Sequence, residues 1–224
     1  MQALRGVRAT LLRAIPRLAI LVTAIAEIAS GDALYGGFCF VALVLTLVPA
    51  IHARSLDAGV PVEIELMLLW LVVADMTLGN WLGLYQLRWY DKVLHLSSSV
   101  LIALIGFLAI YVTQMTHGIR FRPWLDGIAI LLVTLGIGAL WEIAEYSVDQ
   151  LLGRQTQGAP TMSPLDDTMI DLVMDGLGGV LGAILGPLYI RISRRSRSIV
   201  QDFAKLLADR DAKAMARPLL HPAA

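Results

Sequence analysis

The chain has a single cysteine, Cys39, among 224 residues, which excludes a disulfide within one chain and a Cys-based zinc site. Charge is scarce too: charged side chains make up 16% of the residues, against about a quarter in an ordinary soluble domain. The formal net charge is zero, and nothing in the pattern of basic residues resembles a nucleic-acid surface. No run alternates with period two for long enough to build a membrane barrel, and no internal repeat is evident. What is abundant is apolar: 57% of residues are hydrophobic and the mean hydropathy is +0.70. Several runs approach the roughly 20 residues that a spanning helix needs. The expected fold class is therefore all-α, a polytopic membrane protein.

Six transmembrane helices are predicted at about 14–30, 33–51, 62–79, 92–114, 124–151 and 167–191. Breakers separate them, among them Ser30-Gly31-Asp32, Gly79-Asn80, His117-Gly118 and the stretch from Gly153 to Pro164. The basic start is not followed by a short apolar core and a small-residue cleavage site, so a retained first span is expected. Residues 1–191 then form the membrane domain and residues 192–224 a cytoplasmic, basic, amphipathic tail. In the tail Ile199, Val200, Phe203, Leu206 and Leu207 share one helical face, fit either for an anionic lipid surface or for the protein itself. With six spans and the N-terminus inside, fifteen Lys and Arg fall on the cytoplasmic side and three, Arg88, Lys92 and Arg154, on the outer side. That bias places both termini in the cytoplasm. The segment GNWLGLYQLRWY suits an aromatic belt at the outer interface.

The same topology brings carboxylates to one level. The fifth span ends in LWEIAEYSVDQ, and the sixth opens LDDTMIDLVMDGLGG. Glu142, Glu145 and Asp149 are spaced i, i+3, i+7, while Asp167, Asp171 and Asp175 are spaced i, i+4, i+8; each set lies on one helical face. The fourth span opens YDKVLHLSSS, bringing Asp91 and His95 to the same outer end. Glu27 and Asp75 close the first and third spans there; as single acids near helix ends they equally suit structural roles. Asp91 and Asp166 suit N-terminal caps. Gly176, Gly178, Gly179, Gly182 and Gly186 suit close helix packing. Ser97, Ser98 and Ser99 follow His95 but form no nucleophilic triad.

Two facing acidic stripes cannot all remain ionised in a dry pocket, because like charges repel. Protonated acids, a water-filled pocket and a bound cation are the three ways out, and a cation is favoured. Oxygen donors with one imidazole suit Mg²⁺, Mn²⁺, Ca²⁺ or Zn²⁺. The candidate ligands are His95, Glu142, Glu145, Asp149, Asp167, Asp171 and Asp175.

These residues also carry a resemblance. Asp91-Lys-Val-Leu-His95, then GALWEIAEY, then Thr156-Gln157-Gly158 ahead of Asp167-Thr-Met-Ile-Asp171, resembles the YjdF-like family of bacterial inner-membrane proteins. More distantly, the Asp-x-x-x-His start and Asp171-Leu-Val-Met-Asp175-Gly-Leu-Gly178 are similar to VanZ-like proteins, which are associated with resistance to the glycopeptide teicoplanin. Asp175 stands where the VanZ-like pattern has Asn, and Asp166 where the YjdF-like pattern has Trp. The resemblance implies a bacterial inner-membrane location and a choice of residues rather than a reaction.

Three functions fit. The first is a metal-dependent enzyme acting on a lipid or lipid-linked phosphate at the outer leaflet, with His95, Glu145 and Asp167 in catalytic roles. There the loop GRQTQGAPTMSP would serve as a lid, and Arg154 or Lys92 would meet the phosphate. The second is a cation or proton transporter, with Glu63 and Glu65 as inner stepping stones. The third is a non-catalytic subunit that binds a structural ion or a partner's basic segment. Membrane lipids are the expected partners, nucleic acid is not, and the oligomeric state is left open, a homo-oligomer included.

Overall fold

The computed structural model describes residues 2–48, 61–157 and 162–215, and among them every regular element is helical. α1 (Gln2–Ser30) and α2 (Ala33–Leu45) form a hairpin. Gly31 turns the chain with φ of 100°, a conformation that favours a residue without Cβ. Asp32 then caps α2, its carboxylate accepting from the Tyr35 backbone N–H at 3.0 Å. α3 (Val62–Val72) continues into a π-helical stretch, Val73–Trp81, and a 3₁₀ turn, Leu84–Gln86. α4 (Tyr90–His117), α5 (Pro123–Leu152) and α6 (Pro164–Ile192) follow, then α7 (Arg194–Met215).

α4, α5 and α6 are long and apolar enough to cross a membrane. Their outer faces expose Leu132, Leu140, Ile143, Ile184 and Ile192, a burden that water tolerates badly and lipid does not. The remaining predicted spans are less uniform. α1 begins far earlier than position 14, and its apolar part contains Arg13, Arg17 and Glu27. α2 has 13 residues, and the predicted end of its span at 51 lies outside the described residues. The third span changes from α to π geometry part-way.

The most extensive packing joins α4 to α6. The two run parallel, with the antiparallel α5 as the crossover. The α6 face that carries Asp167, Asp171 and Asp175 continues as Gly178, Gly182 and Gly186. A Cβ at Gly178 would lie 2.6 Å from the Ser99 Cβ, and one at Gly186 would lie 2.5 Å from the Phe107 ring. At Gly182 it would collide with Ala103. Small residues let two backbones approach closely enough for dispersion to hold them.

At the opposite end from these acids, α1, α2 and α3 are tied by a partly buried ion pair around Glu65. Arg13 Nε donates to Glu65 at 2.9 Å; Arg17 donates to the same carboxylate at 3.3 Å and to the Thr46 carbonyl at 2.9 Å. The tail helix α7 folds back along α4: Val200 and Ala204 are buried, and the Thr116 hydroxyl donates to the Ala204 carbonyl. Part of the amphipathic face predicted for the tail therefore meets this protein's own α4.

Replacing Gly182 by Val should destabilise the fold by about 1–3 kcal/mol, as overpacking does. Gly106→Ala, where an added Cβ meets nothing within 4 Å, should be close to neutral. Thermal unfolding of the detergent-solubilised variants measures both.

Candidate functional site

The first two turns of α4 carry most of the chemistry. The N-cap position is taken by Trp89 without a side-chain cap bond, so Asp91 is not the cap predicted for it; it sits in the first turn, facing Lys92 and His95. At the start of α6 the cap is Ser163, whose Oγ accepts from the Asp166 backbone N–H and donates to the Asp166 carboxylate. Asp166 is thus the reciprocal partner of the cap rather than the cap itself.

Lys92 is buried among acids. Its Nζ donates to Asp167 Oδ1 at 2.5 Å, to Asp171 Oδ2 at 2.6 Å and to Asp91 Oδ2 at 3.1 Å. An ammonium with three donors and three carboxylates around it is fully committed. The sequence suggested Lys92 as a ligand for phosphate; its donors are instead spent inside the cluster.

His95 faces the other half. Its Nδ1 lies 3.3 Å from Asp175 Oδ1, an oxygen that also accepts from Ser99 Oγ at 2.6 Å. Its Nε2 lies 3.7 Å from Glu142 Oε1, 3.8 Å from Asp91 Oδ1 and 4.0 Å from Asp171 Oδ1. Those separations are too long for hydrogen bonds. Glu142 Oε1, Asp171 Oδ1 and Asp175 Oδ2 are buried and make no hydrogen bond among the described residues, although Glu142, Asp171 and Asp175 are each at most 5% exposed. Such oxygens are normally satisfied. Two ligands of one ion, each bonded at about 2.0–2.2 Å, lie at most about 4.2 Å apart. The 3.7–4.0 Å distances from Nε2 fall below that ceiling, and Asp91, His95 and Asp171, whose ligand atoms all lie within 4.8 Å of one another, could hold a metal ion, with Glu142 beside them.

Other predicted ligands are placed elsewhere. Glu145 accepts from the Trp141 indole N–H at 2.8 Å and is only partly buried. Asp149 lies seven residues, about 10 Å, beyond Glu142 along the axis. There its carboxylate accepts from the Thr156 N–H and hydroxyl, both at 2.7 Å, and from the Gln157 N–H at 3.0 Å. Asp167 is held by Lys92. The start of the predicted lid is pinned: Gln157 also reaches the Glu142 carbonyl and the Thr168 hydroxyl, and residues 158–161 lie outside the described residues. Arg154, the other candidate for phosphate, makes two 2.6 Å bonds to Asp32. Asp75, on the π-helical stretch, accepts from Tyr85 OH at 2.6 Å.

Some contributors escaped the sequence reading. Thr168 Oγ1 donates to Glu142 Oε2 at 2.7 Å, Ser99 braces Asp175, and Gly138 leaves room for the Asp175 carboxylate, with which a Cβ there would collide. One signal was available: Lys92, His95, Ser99, Ala103 and Phe107 recur every three or four residues, as do the acids and glycines of α6. Beside His95 a cavity of about 270 Å³ has Asp75, Asp91, His95 and Asp175 at one end and Leu68, Leu71, Val72, Leu101, Ile102 and Ile137 as apolar walls.

A family model matches residues 9–192. The chain belongs to the family described as "Predicted membrane protein (DUF2238)". The YjdF-like resemblance is consistent with this family, whereas the match does not extend to VanZ-like proteins. No curated protein and no solved structure matches the chain. The family's matched region contains the whole cluster and ends at the last residue of α6.

Lys92→Met should leave Asp167 and Asp171 buried without their ammonium, a loss of about 3–5 kcal/mol for a broken buried pair. Asp167→Asn added to Lys92→Met should recover part of it, as a lowered and then partly restored unfolding midpoint would show. The Arg154 guanidinium and the Tyr35 N–H hold the Asp32 carboxyl at about 2, below its ordinary 3.8. A depressed value means the pair stabilises the fold above about pH 4 and loses that contribution as the pH falls towards 2. The stability gap between wild type and Asp32→Asn should therefore close over that interval in acid titrations.

Proposed function

We propose that the chain is a six-span inner-membrane protein, with both termini cytoplasmic, whose carboxylate–histidine site binds one divalent cation and acts on the phosphate of a lipid or lipid-linked substrate at the outer face. One observation carries this reading: Glu142 Oε1 and Asp171 Oδ1, two buried carboxylate oxygens without hydrogen bonds among the described residues, lie 3.7 and 4.0 Å from His95 Nε2, beside an apolar-walled cavity. Depth supports it as well. Trp124, at the start of α5, and Trp141, seventeen residues or about 26 Å along it, are both exposed, a separation close to the thickness of a bilayer's hydrocarbon core. Glu142 follows Trp141 directly, so the site would lie at interface depth, where a polar headgroup can reach it.

The residues divide the work. Asp175, braced by Ser99, would accept a hydrogen bond from His95 Nδ1–H and so leave the Nε2 lone pair free for the ion, the arrangement by which carboxylates orient metal-binding histidines. Asp91, Asp171 and Glu142 would complete the ligand set, with Thr168 fixing the rotamer of Glu142. Lys92 would act as an internal counter-ion holding Asp167 and Asp171 in place. Glu145 and Asp149 would shape the rim and anchor the loop. A bound divalent ion would supply Lewis acidity to a phosphate oxygen and a more acidic water. The apolar walls of the cavity would take the start of a hydrocarbon chain, its head at the acids. The transport reading finds less support: Glu65 is paired with Arg13 and Arg17, and below Asp175 the inner face of α6 is glycine.

Elemental analysis of the purified full-length protein after loading with Mn²⁺ or Zn²⁺ tests the proposal. The expected result is about one ion per chain, lost in Glu142→Ala and Asp171→Ala, with phosphate released from a panel of lipid phosphates only by the loaded wild type. Wild type without metal, at unchanged fold, would remove the cation; metal without any turnover would leave a structural ion.

A further inference from the structure

A second cavity lies at the other end of the molecule. It has a volume of about 520 Å³ and opens between α1 and α2. On α1 the residues Arg13, Arg17, Leu18 and Leu21 face it at helical spacing, α2 contributes Leu43, and the turn after α2 contributes Leu47. The order along the axis matters. The two guanidiniums are at the end that carries the chain's basic residues, and Leu21 is eight residues, about 12 Å, deeper. The groove is cationic at its mouth and aliphatic below.

The charges do not cancel. Arg13 and Arg17 share one carboxylate, Glu65, which is itself buried. Arg13 reaches Glu65 through Nε, and Arg17 divides its donors between Glu65 and Thr46. Each guanidinium has five N–H donors in a planar fork; among the described residues these bonds use fewer than half of the ten. Both arginines retain exposed surface, 34% for the Arg13 side chain and 18% for that of Arg17. One positive charge and several donors thus face the groove, directly above leucine side chains.

We propose that this groove binds an anionic phospholipid, its phosphate on Arg13 and Arg17 and one acyl chain along Leu18, Leu21, Leu43 and Leu47. Arginine forks match phosphate geometry, and basic pockets between membrane helices on the cytoplasmic side suit anionic headgroups. The surplus charge selects an anionic over a zwitterionic lipid, and the leucines select a lipid over free phosphate. Through Glu65 and Thr46 the bound headgroup would brace α1, α2 and α3 together. The site is independent of the cation-binding reading.

Native mass spectrometry of the delipidated full-length protein in neutral detergent, with phosphatidylglycerol or phosphatidylcholine added back, tests it. Wild type should retain phosphatidylglycerol in preference to phosphatidylcholine. Arg13→Gln should weaken that retention by about tenfold, the loss of one charge-assisted hydrogen bond. Leu21→Trp, which fills the groove without touching the ion pair, should weaken it similarly and keeps the test valid if Arg13→Gln fails to fold. The Arg194→Gln, Arg195→Gln double variant, on the tail helix, should retain the lipid as wild type does. Equal retention of the two lipids, displacement by inorganic phosphate at equal concentration, or full binding by the Leu21→Trp variant would overturn the proposal.

Discussion

The close approach of α4 and α6 is the constraint on which the site depends. Gly178, Gly182 and Gly186 let the α6 backbone settle against Ser99, Ala103 and Phe107. The same helical face carries Asp171 two turns, and Asp167 three turns, beyond Gly178. Because the two helices run parallel and in step, bringing the glycines to α4 necessarily brings those acids to Lys92 and His95. A bulkier residue at Gly182 would push the helices apart at the level where dispersion holds them and would lengthen every polar contact above it. Packing in the apolar half and electrostatics in the polar half are therefore one geometric fact.

That geometry creates an electrostatic problem and solves half of it. Five buried or half-buried carboxylates, Asp91, Glu142, Asp167, Asp171 and Asp175, surround one lysine and one histidine. Lys92 satisfies the side nearest Asp167. The other side, around His95 Nε2, keeps two carboxylate oxygens, of Glu142 and Asp171, that no described residue hydrogen-bonds, and Asp175 keeps a third nearby. Burying charge without a partner is strongly unfavourable in any low-dielectric surrounding. This cluster, satisfied on one side and left with unbonded oxygens on the other, differs from the ion pair at the opposite end, where both carboxylate oxygens of Glu65 accept from Arg13 and Arg17 and the excess charge is positive.

Much of this was legible from one chain. Hydropathy predicted helices at α4, α5 and α6 within a few residues, since a long apolar run between Gly and Pro breakers has few other solutions. Helical spacing put Asp171, Asp175, Glu142 and His95 at one level, and the structure brings them together. Spacing failed where depth differs: Asp149 shares a face with Glu142 but lies two turns higher, where the loop's own N–H groups claim it. Local rules failed at Asp91, because a residue's place one turn into a helix, rather than at its cap, is set by where Trp89 and Tyr90 dock. Lys92 was expected to meet a phosphate because the sequence does not reveal which neighbour an ammonium will meet.

The sequence by itself determined the helical class, the apolar faces, the gathering of acids at one end and of bases at the other. Periodicity and charge are properties of position along the chain, so they need no fold to be read. Only the tertiary structure decided the pairings: Lys92 with Asp167 and Asp171, His95 with Asp175, Arg154 with Asp32, Arg13 with Glu65. Each joins residues distant in sequence, and which partner a side chain meets depends on the rotation and register of packed helices, set by steric fit at glycines and caps far from the charges themselves.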